Sequence, residues 1–383
     1  MDIFNPIVPS QAFHNNFLSI ISEKDDYARN VLSNWADGFV DRDGKFVKEF
    51  QTSFNSSFWE LYLFACLKEL NLSVDFSFDR PDFVAKNDEV SFCIEASIAN
   101  SAIDTPNEWE ADYSPQGLKE IDKDKILDFA TIRLSNTLTA KYKKYLRGYS
   151  DLDQAKGKPF IIAIAPFEQP FSFIQNDQAI SRVLYGFDKF IYEEDLTKNE
   201  RTIFGQEYID FITKPNGSEI PLGYFIKDEM REVSAVIFSN TATFGKVRAL
   251  SDDPGDLFFT SVRYNDRGLK PTESILPKKE YKETVLDGLH IFHNPFANRP
   301  ISYEHFDRIE IIHHDFDLEK KIPLVKTNDG ALFQRSTQKI NFPNKEIRKK
   351  AYDYCNELNL QLQKKHFKTD RPLSIKDFKD IFS

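Results

Sequence analysis

The run "KPFIIAIAPF" (158–167) is apolar at nearly every position. A strand with one wet face would alternate apolar and polar side chains. Continuous apolarity over this length predicts a strand buried on both faces, with other elements laid over each side of its sheet. Two helix-like segments precede it. "FNSSFWELYLFACLKEL" (54–70) reads as a helix with Asn55, Ser56 or Ser57 as N-cap, and a long helix is expected from Lys123 to Arg147, closed by Gly148. The fold class expected is therefore α/β.

Between those helices lie three strand candidates: "LSVDFSF" (72–78), "PDFVA" (81–85) and "VSFCIEAS" (90–97), the last two joined by the turn "KNDE". The element order is helix, three strands, helix, strand. Residues 1–52 read as a helical extension. Downstream, "FITKPNGSEIPLGYFI" suggests a hairpin around Asn216-Gly217, and "VSAVIFSN" (233–240) another buried strand. Residues 344–366 repeat Ile347, Ala351, Cys355, Leu358 and Leu362 at helical spacing, as in an amphipathic helix that packs on the body. The chain thus divides as 1–52, a core at 53–170, a mixed extension at 171–343 and a helical tail at 344–383.

With 383 residues, 41% of them hydrophobic and 36 of them phenylalanine, a large core is within reach. No apolar run approaches the roughly 18 residues that span a bilayer, and the first residues do not read as a signal peptide. Cys66, Cys93 and Cys355 are far apart, without CxxC spacing, which excludes a zinc site made of cysteines and predicts reduced core thiols in a cytoplasmic protein. A net charge of -10 argues against coating nucleic acid through global charge, although a local basic groove is compatible with it.

Three acids stand where an apolar core is expected. Glu60 is the only charged residue between Phe58 and Leu67, and its neighbours at i+3, i+4 and i+7 are Leu63, Phe64 and Leu67. Desolvating that carboxylate costs several kcal/mol unless something compensates. A core arginine such as Arg80 or Arg133 is one answer, and a divalent cation shared with other acids is the other. Asp82 and Glu95 lie on adjacent strand candidates, so both side chains can project from the same end of a sheet. Hard oxygen ligands on rigid strands suit Mg²⁺ or Mn²⁺.

The helix with Glu60, "PDF" at 81–83, "IEAS" at 94–97 and the helix–strand pair after them resemble the PD-(D/E)xK nuclease superfamily, the restriction-endonuclease-like fold. The resemblance covers about residues 54–167. "RLSNTLTAKYKKY" with "PFIIAIA", and "FHNPFANRPI" beyond, look like an uncharacterised bacterial family grouped with these nucleases. What the resemblance implies is a metal-dependent endonuclease that hydrolyses phosphodiesters, with DNA the favoured substrate and partner. Glu60, Asp82 and Glu95 would then hold Mg²⁺ or Mn²⁺, with the Ala96 carbonyl as a further ligand. The family pattern has a lysine two residues after the glutamate, where this chain has Ser97, which cannot carry positive charge. Arg133, Thr137, Lys141 and Lys144 share one face of the long helix. That face is either simply solvated or the source of the missing cation, with Lys141 first, Lys144 second and Lys86 a weaker third. Arg133, Lys141 and Lys144 are also the residues assigned to nucleic-acid binding.

Other motifs point less far. His290, His293 and Asn294 in "HIFHNPFANRP" fit local hydrogen bonding better than contact with a phosphate or base. The adjacent histidines of "HHDFD" (313–317) point to opposite faces of a strand and do not converge simply. No Ser/His/Asp elbow or phosphate-cradling glycine loop occurs. Two rival readings remain. One is a catalytically inactive nuclease-fold module that binds nucleic acid or protein; the other is an interaction scaffold, a homodimer included, in which the acids are ordinary core ion pairs. No membrane partner is expected.

Overall fold

The computed structural model describes residues 1–100, 108–112, 117, 119–195, 200–265 and 271–365. Four helices open the chain: α1 (Asn15–Ile21), α2 (Tyr27–Ala36), α3 (Phe46–Thr52) and α4 (Phe54–Glu69). Next come β1 (Ser73–Val74), β2 (Phe83–Lys86), β3 (Ser91–Ile98), α5 (Lys123–Gly148) and β4 (Phe160–Ala165). Then follow α6 (Gln178–Tyr185), the strand pair β5 (Phe187–Asp195) and β6 (Glu200–Tyr208), the short pair β7 (Phe211–Thr213) and β8 (Glu219–Pro221), β9 (Ala235–Phe238) and α7 (Phe244–Leu250). The last elements are β10 (Leu257–Arg263), β11 (Thr272–Pro277), β12 (His290–His293), β13 (Ile312–Asp317), β14 (Ile322–Lys326), β15 (Leu332–Lys339) and α8 (Lys345–Lys365).

One eight-stranded mixed sheet runs in the order β1-β2-β3-β4-β9-β12-β13-β14. The first three strands are antiparallel neighbours, and β4 lies parallel to β3 and to β9. Every residue of β4 is buried, as its apolar sequence predicts, because the sheet is covered on both sides. Phe92, Ile94 and Ala96 of β3 join the core built with α4 and the N-terminal helices. Cys93 of the same strand joins the core built with Leu127, Leu134 and Leu138 of α5 and with α6. So α4 and α5 lie on opposite faces, and residues of odd number in β3 look toward α5.

The strand and helix expectations hold with changed limits. The segment 72–78 forms a strand only at Ser73–Val74; the Asp75 N–H still donates to the Val84 carbonyl at 2.9 Å, and its carboxylate then takes the Ser77 N–H and the Lys86 ammonium where the chain leaves the sheet. Ser53, not Asn55 or the serines after it, precedes α4, and Asn55 instead donates to Glu108 and Glu168 from inside the helix. Gly148 does not close α5 by a left-handed turn; the helix runs into Tyr149, whose N–H reaches the carbonyl of Tyr145. The Asn216-Gly217 hairpin forms as β7 and β8, with Gly217 at φ 82°. Helix α8 buries Cys355, Leu358 and Leu362 against Phe258 and Ile275 of a separate three-stranded sheet, β11-β10-β15; Ala351 is buried as well, while Ile347 stays exposed. Strands β9, β12, β13 and β14 extend the sheet begun at 73–165, so the segments 53–170 and 171–343 share one sheet. Among the described residues, no helix is long and apolar enough to cross a membrane.

Candidate active site

Strand pairing explains how two of the acids meet. In the β2–β3 register Phe83 faces Ile94, and one step further puts Asp82 opposite Glu95. Asp82 sits just outside the strand, where its Oδ2 accepts the N–H of Ala96 at 2.7 Å. The group of Ala96 engaged here is therefore its N–H. Arg42 fixes the approach to this point by donating to the carbonyls of Phe78 (2.6 Å) and Pro81 (3.2 Å).

Glu95 is 1% exposed, which would be ruinous for an unpaired carboxylate. It is not unpaired. Lys141 and Lys144 of α5, one turn apart, both reach its Oε1 at 2.8 Å. They arrive from the face toward which Glu95 projects, as its odd register position requires. Burial would lower the Lys144 ammonium, but its bond to Glu95 prevails and holds the pKa above the usual lysine value. The second oxygen, Oε2, is buried without a hydrogen-bond partner.

Glu60 comes from α4, on the opposite face of the sheet. Burial first, then the charge of Asp82, push its pKa up to about 8, against the pull of Arg42 and Lys141. Asp82 is raised to about 6 by burial and by Glu95, opposed by Lys141, the Ala96 N–H and Lys144. The acids thus form a row, Glu60 beside Asp82 and Asp82 beside Glu95, with the lysines closing the Glu95 end. The row does not bring three carboxylate oxygens within 4.8 Å of one another; among the described residues the group that meets this closeness is Asp177, His290 and His314.

The structure brings Glu60, Asp82, Glu95, Lys141 and Lys144 into this cluster and leaves the candidates Arg133 and Lys86 outside it. Arg133 donates to the carbonyl of Asn100. Lys86 pairs with Asp75 at 3.1 Å. The hydroxyl of Ser97, the residue that replaces the family's lysine, lies 3.5 Å from the neighbouring carbonyl of Ile98. Neither Arg80 nor Arg133 supplies the charge that acts on Glu60; Arg42 and Lys141 do.

The histidines behave otherwise than their strand positions alone suggest. His313 and His314 do point to opposite faces, yet each meets a histidine of the parallel neighbour β12. His293 Nε2 lies 3.0 Å from His313 Nδ1, and His290 Nδ1 lies 2.9 Å from His314 Nε2. Asn294 is taken up locally, donating to the carbonyls of Met230 (2.9 Å) and Val233 (2.8 Å). Sequence reasoning missed the convergence because it depends on β12 and β13 being neighbours, which no local pattern announces. A cavity of about 930 Å³ opens elsewhere, walled in part by Asn55, Phe167, Asn240 and Arg335 and by none of the five charged residues of the cluster.

Comparison of the chain with protein-family models, with curated proteins and with solved structures finds no match.

Proposed function

We propose that this chain is a metal-dependent phosphodiester hydrolase acting on nucleic acid, with DNA the favoured polymer. The observation that carries the reading is the row Glu60, Asp82, Glu95, closed at one end by two lysines on a single carboxylate oxygen. The order α4, antiparallel β1-β2-β3, α5, and β4 parallel to β3 supports it, because the PD-(D/E)xK nucleases that the sequence resembles are built in that order. The choice of DNA rests on that likeness alone.

The residue types suit a hard divalent cation, which would have to draw the three carboxylates closer together than they stand here. Glu95 Oε2 is buried and unpartnered, and Glu60 and Asp82 resist ionisation beside one another, so the cluster holds oxygen donors whose negative charge is not fully answered. Such an all-oxygen set suits Mg²⁺ or Mn²⁺, held by Glu60, Asp82 and Glu95. When bound, the ion would acidify a water and offset charge on the scissile phosphate. The chain's own groups do the rest. The Ala96 N–H orients the Asp82 carboxylate. Lys141 and Lys144 orient Glu95, and the half-exposed Lys144 brings positive charge to the surface where a phosphate would approach. On this reading the two lysines would supply the positive charge that Ser97, in the family's lysine position, cannot.

One feature favours the inactive binding module: both ammonium groups are already engaged by Glu95, and neither is free to act on water. A cleavage assay separates the readings. Double-stranded DNA, single-stranded DNA and RNA are incubated with Mg²⁺ or Mn²⁺ and with wild type, Asp82→Ala or Glu95→Ala. The hydrolase reading expects metal-dependent cleavage that falls at least about 100-fold in either variant. Equal cleavage by all three proteins, or none by wild type, would sink it.

A further inference from the structure

Strands β12 and β13 run parallel, with Phe292 opposite His314. Side chains two apart share a face, so His290, Phe292 and His314 form one stack. Phe292 lies 4.0 Å from His314, ring centroid to ring centroid, with planes 9° apart, and His290 is 6.3 Å from Phe292 at 13°. The stack holds His290 Nδ1 and His314 Nε2 2.9 Å apart. A third group arrives from a distant part of the chain: Asp177, the residue before α6, sets its Oδ2 3.8 Å from His314 Nε2. One ligand atom from each of the three lies within 4.8 Å of the other two.

The surroundings are short of partners for these groups. His290 is 1% exposed and His314 4%, and the Nε2 of His290 is buried with no hydrogen-bond partner. With Nε2 unmatched, the polar contact that orients the buried His290 ring, among the described residues, is the one its Nδ1 makes with His314. The other histidine pair supplies an internal comparison. His293 and His313 face the opposite way, and there His313 Nε2 finds the carbonyl of Phe306 at 3.3 Å and His293 packs on the Tyr303 ring at 4.1 Å. That pair is complete without a further ligand.

We propose that Asp177, His290 and His314 form a binding site for one divalent transition-metal ion of the zinc class, separate from the carboxylate cluster. Two imidazole nitrogens and one carboxylate oxygen are a borderline donor set, suited to zinc, cobalt or iron rather than magnesium. A tetrahedral ion with bonds of about 2.0–2.1 Å holds its ligands roughly 3.4 Å apart. The 2.9 Å and 3.8 Å separations reach that value by shifts of a few tenths of an ångström in opposite senses. The ion would tie the start of α6 to both strands, where Tyr185 of α6 already donates toward the carbonyls of His293 (2.7 Å) and His314 (3.1 Å). Its role would be to brace this end of the sheet.

The test uses the whole chain, stripped of metal and titrated with Co²⁺ alone. The expected result is one Co²⁺ per chain with the strong visible bands of four-coordinate cobalt, displaced by one equivalent of Zn²⁺, and a melting temperature raised by either ion. The Asp177→Asn variant should lose the bands at stoichiometric cobalt, whereas Glu95→Ala, which damages the acidic cluster, should keep them. A wild-type chain with neither bands nor a zinc-linked rise in melting temperature overturns the site, whether or not the variants fold. So do bands of equal strength in Asp177→Asn. Because cleavage of nucleic acid is not read at any point, failure here is distinguishable from failure of the hydrolase assay.

Discussion

Glu60 is a carboxyl group that its surroundings keep protonated into neutral pH. Burial and the adjacent Asp82 carry it from an ordinary 4.5 to about 8. Because the folded-state value lies above that of the unfolded chain, the group favours folding while protonated. That contribution is fully present below about pH 4.5 and is lost as the pH rises through about 8. Glu60→Gln keeps the shape, removes the titration and should leave stability at pH 5 nearly unchanged. At pH 8.5 it should stabilise the fold by about 1–3 kcal/mol in urea denaturation. A variant with the same pH slope as wild type would show that Glu60 is solvated and ionised like any surface acid. Added Mn²⁺ should reverse the comparison at pH 8.5, stabilising wild type more than Glu60→Gln, since a cation favours the ionised carboxylate that the variant lacks.

Helix α5 presents Lys141 and Lys144 on one face, and the pair behaves as a unit because both bind the same oxygen of Glu95. Lys141→Met or Lys144→Met alone leaves the buried carboxylate one ammonium. The double variant leaves it none and should cost about 3–5 kcal/mol, far more than the two single losses added together. Adding Glu95→Gln to the double variant should recover most of that loss; simple additivity in urea melts would refute the shared-partner account. This helix also shows where sequence reasoning reaches and where it stops. Its extent, the buried β4, the hairpin at Gly217 and the placing of Asp82 opposite Glu95 follow from local apolar pattern, turn chemistry and strand register. The side of the sheet it covers is not legible, since a lysine-bearing helix face is as readily solvated as paired with a strand acid. What stays hidden is long-range order. Nothing around residue 235 says that β9 will extend the sheet beside β4, and nothing near Asp177 points to histidines more than a hundred residues away.

At the scale of the whole molecule, two bodies of sheet must be held together: the eight-stranded sheet and the small β11-β10-β15 sheet with α8. A buried ionic junction lies between them. Lys246 of α7 pairs with Glu283 Oε1 at 2.5 Å and donates to the carbonyls of Thr284 (3.0 Å) and Asp287 (2.6 Å). Arg335 of β15 donates to Glu283 Oε2 at 3.0 Å and to the carbonyl of Thr241, while Arg263 of β10 pairs with Asp287 at 3.0 Å. The side chains of Lys246 and Glu283 are 0% exposed and that of Arg335 is 2% exposed. Burial alone would raise the Glu283 carboxyl, yet Arg335 and Lys246 hold it below the ordinary glutamate value. Leu286 and Leu289, just beyond Glu283, belong to the core under the large sheet, so the junction ties that core to the small sheet. Glu283→Gln strands two buried cations and should cost about 3–5 kcal/mol. The loss should also be uneven. Amide hydrogen exchange should quicken first in Leu257–Arg263, Thr272–Pro277 and Leu332–Lys339, while Ser91–Ile98 and Phe160–Ala165 stay protected, because only the small sheet loses its anchor. Uniform acceleration across both sheets would mean that the two bodies unfold as one cooperative unit and that the junction is not what joins them.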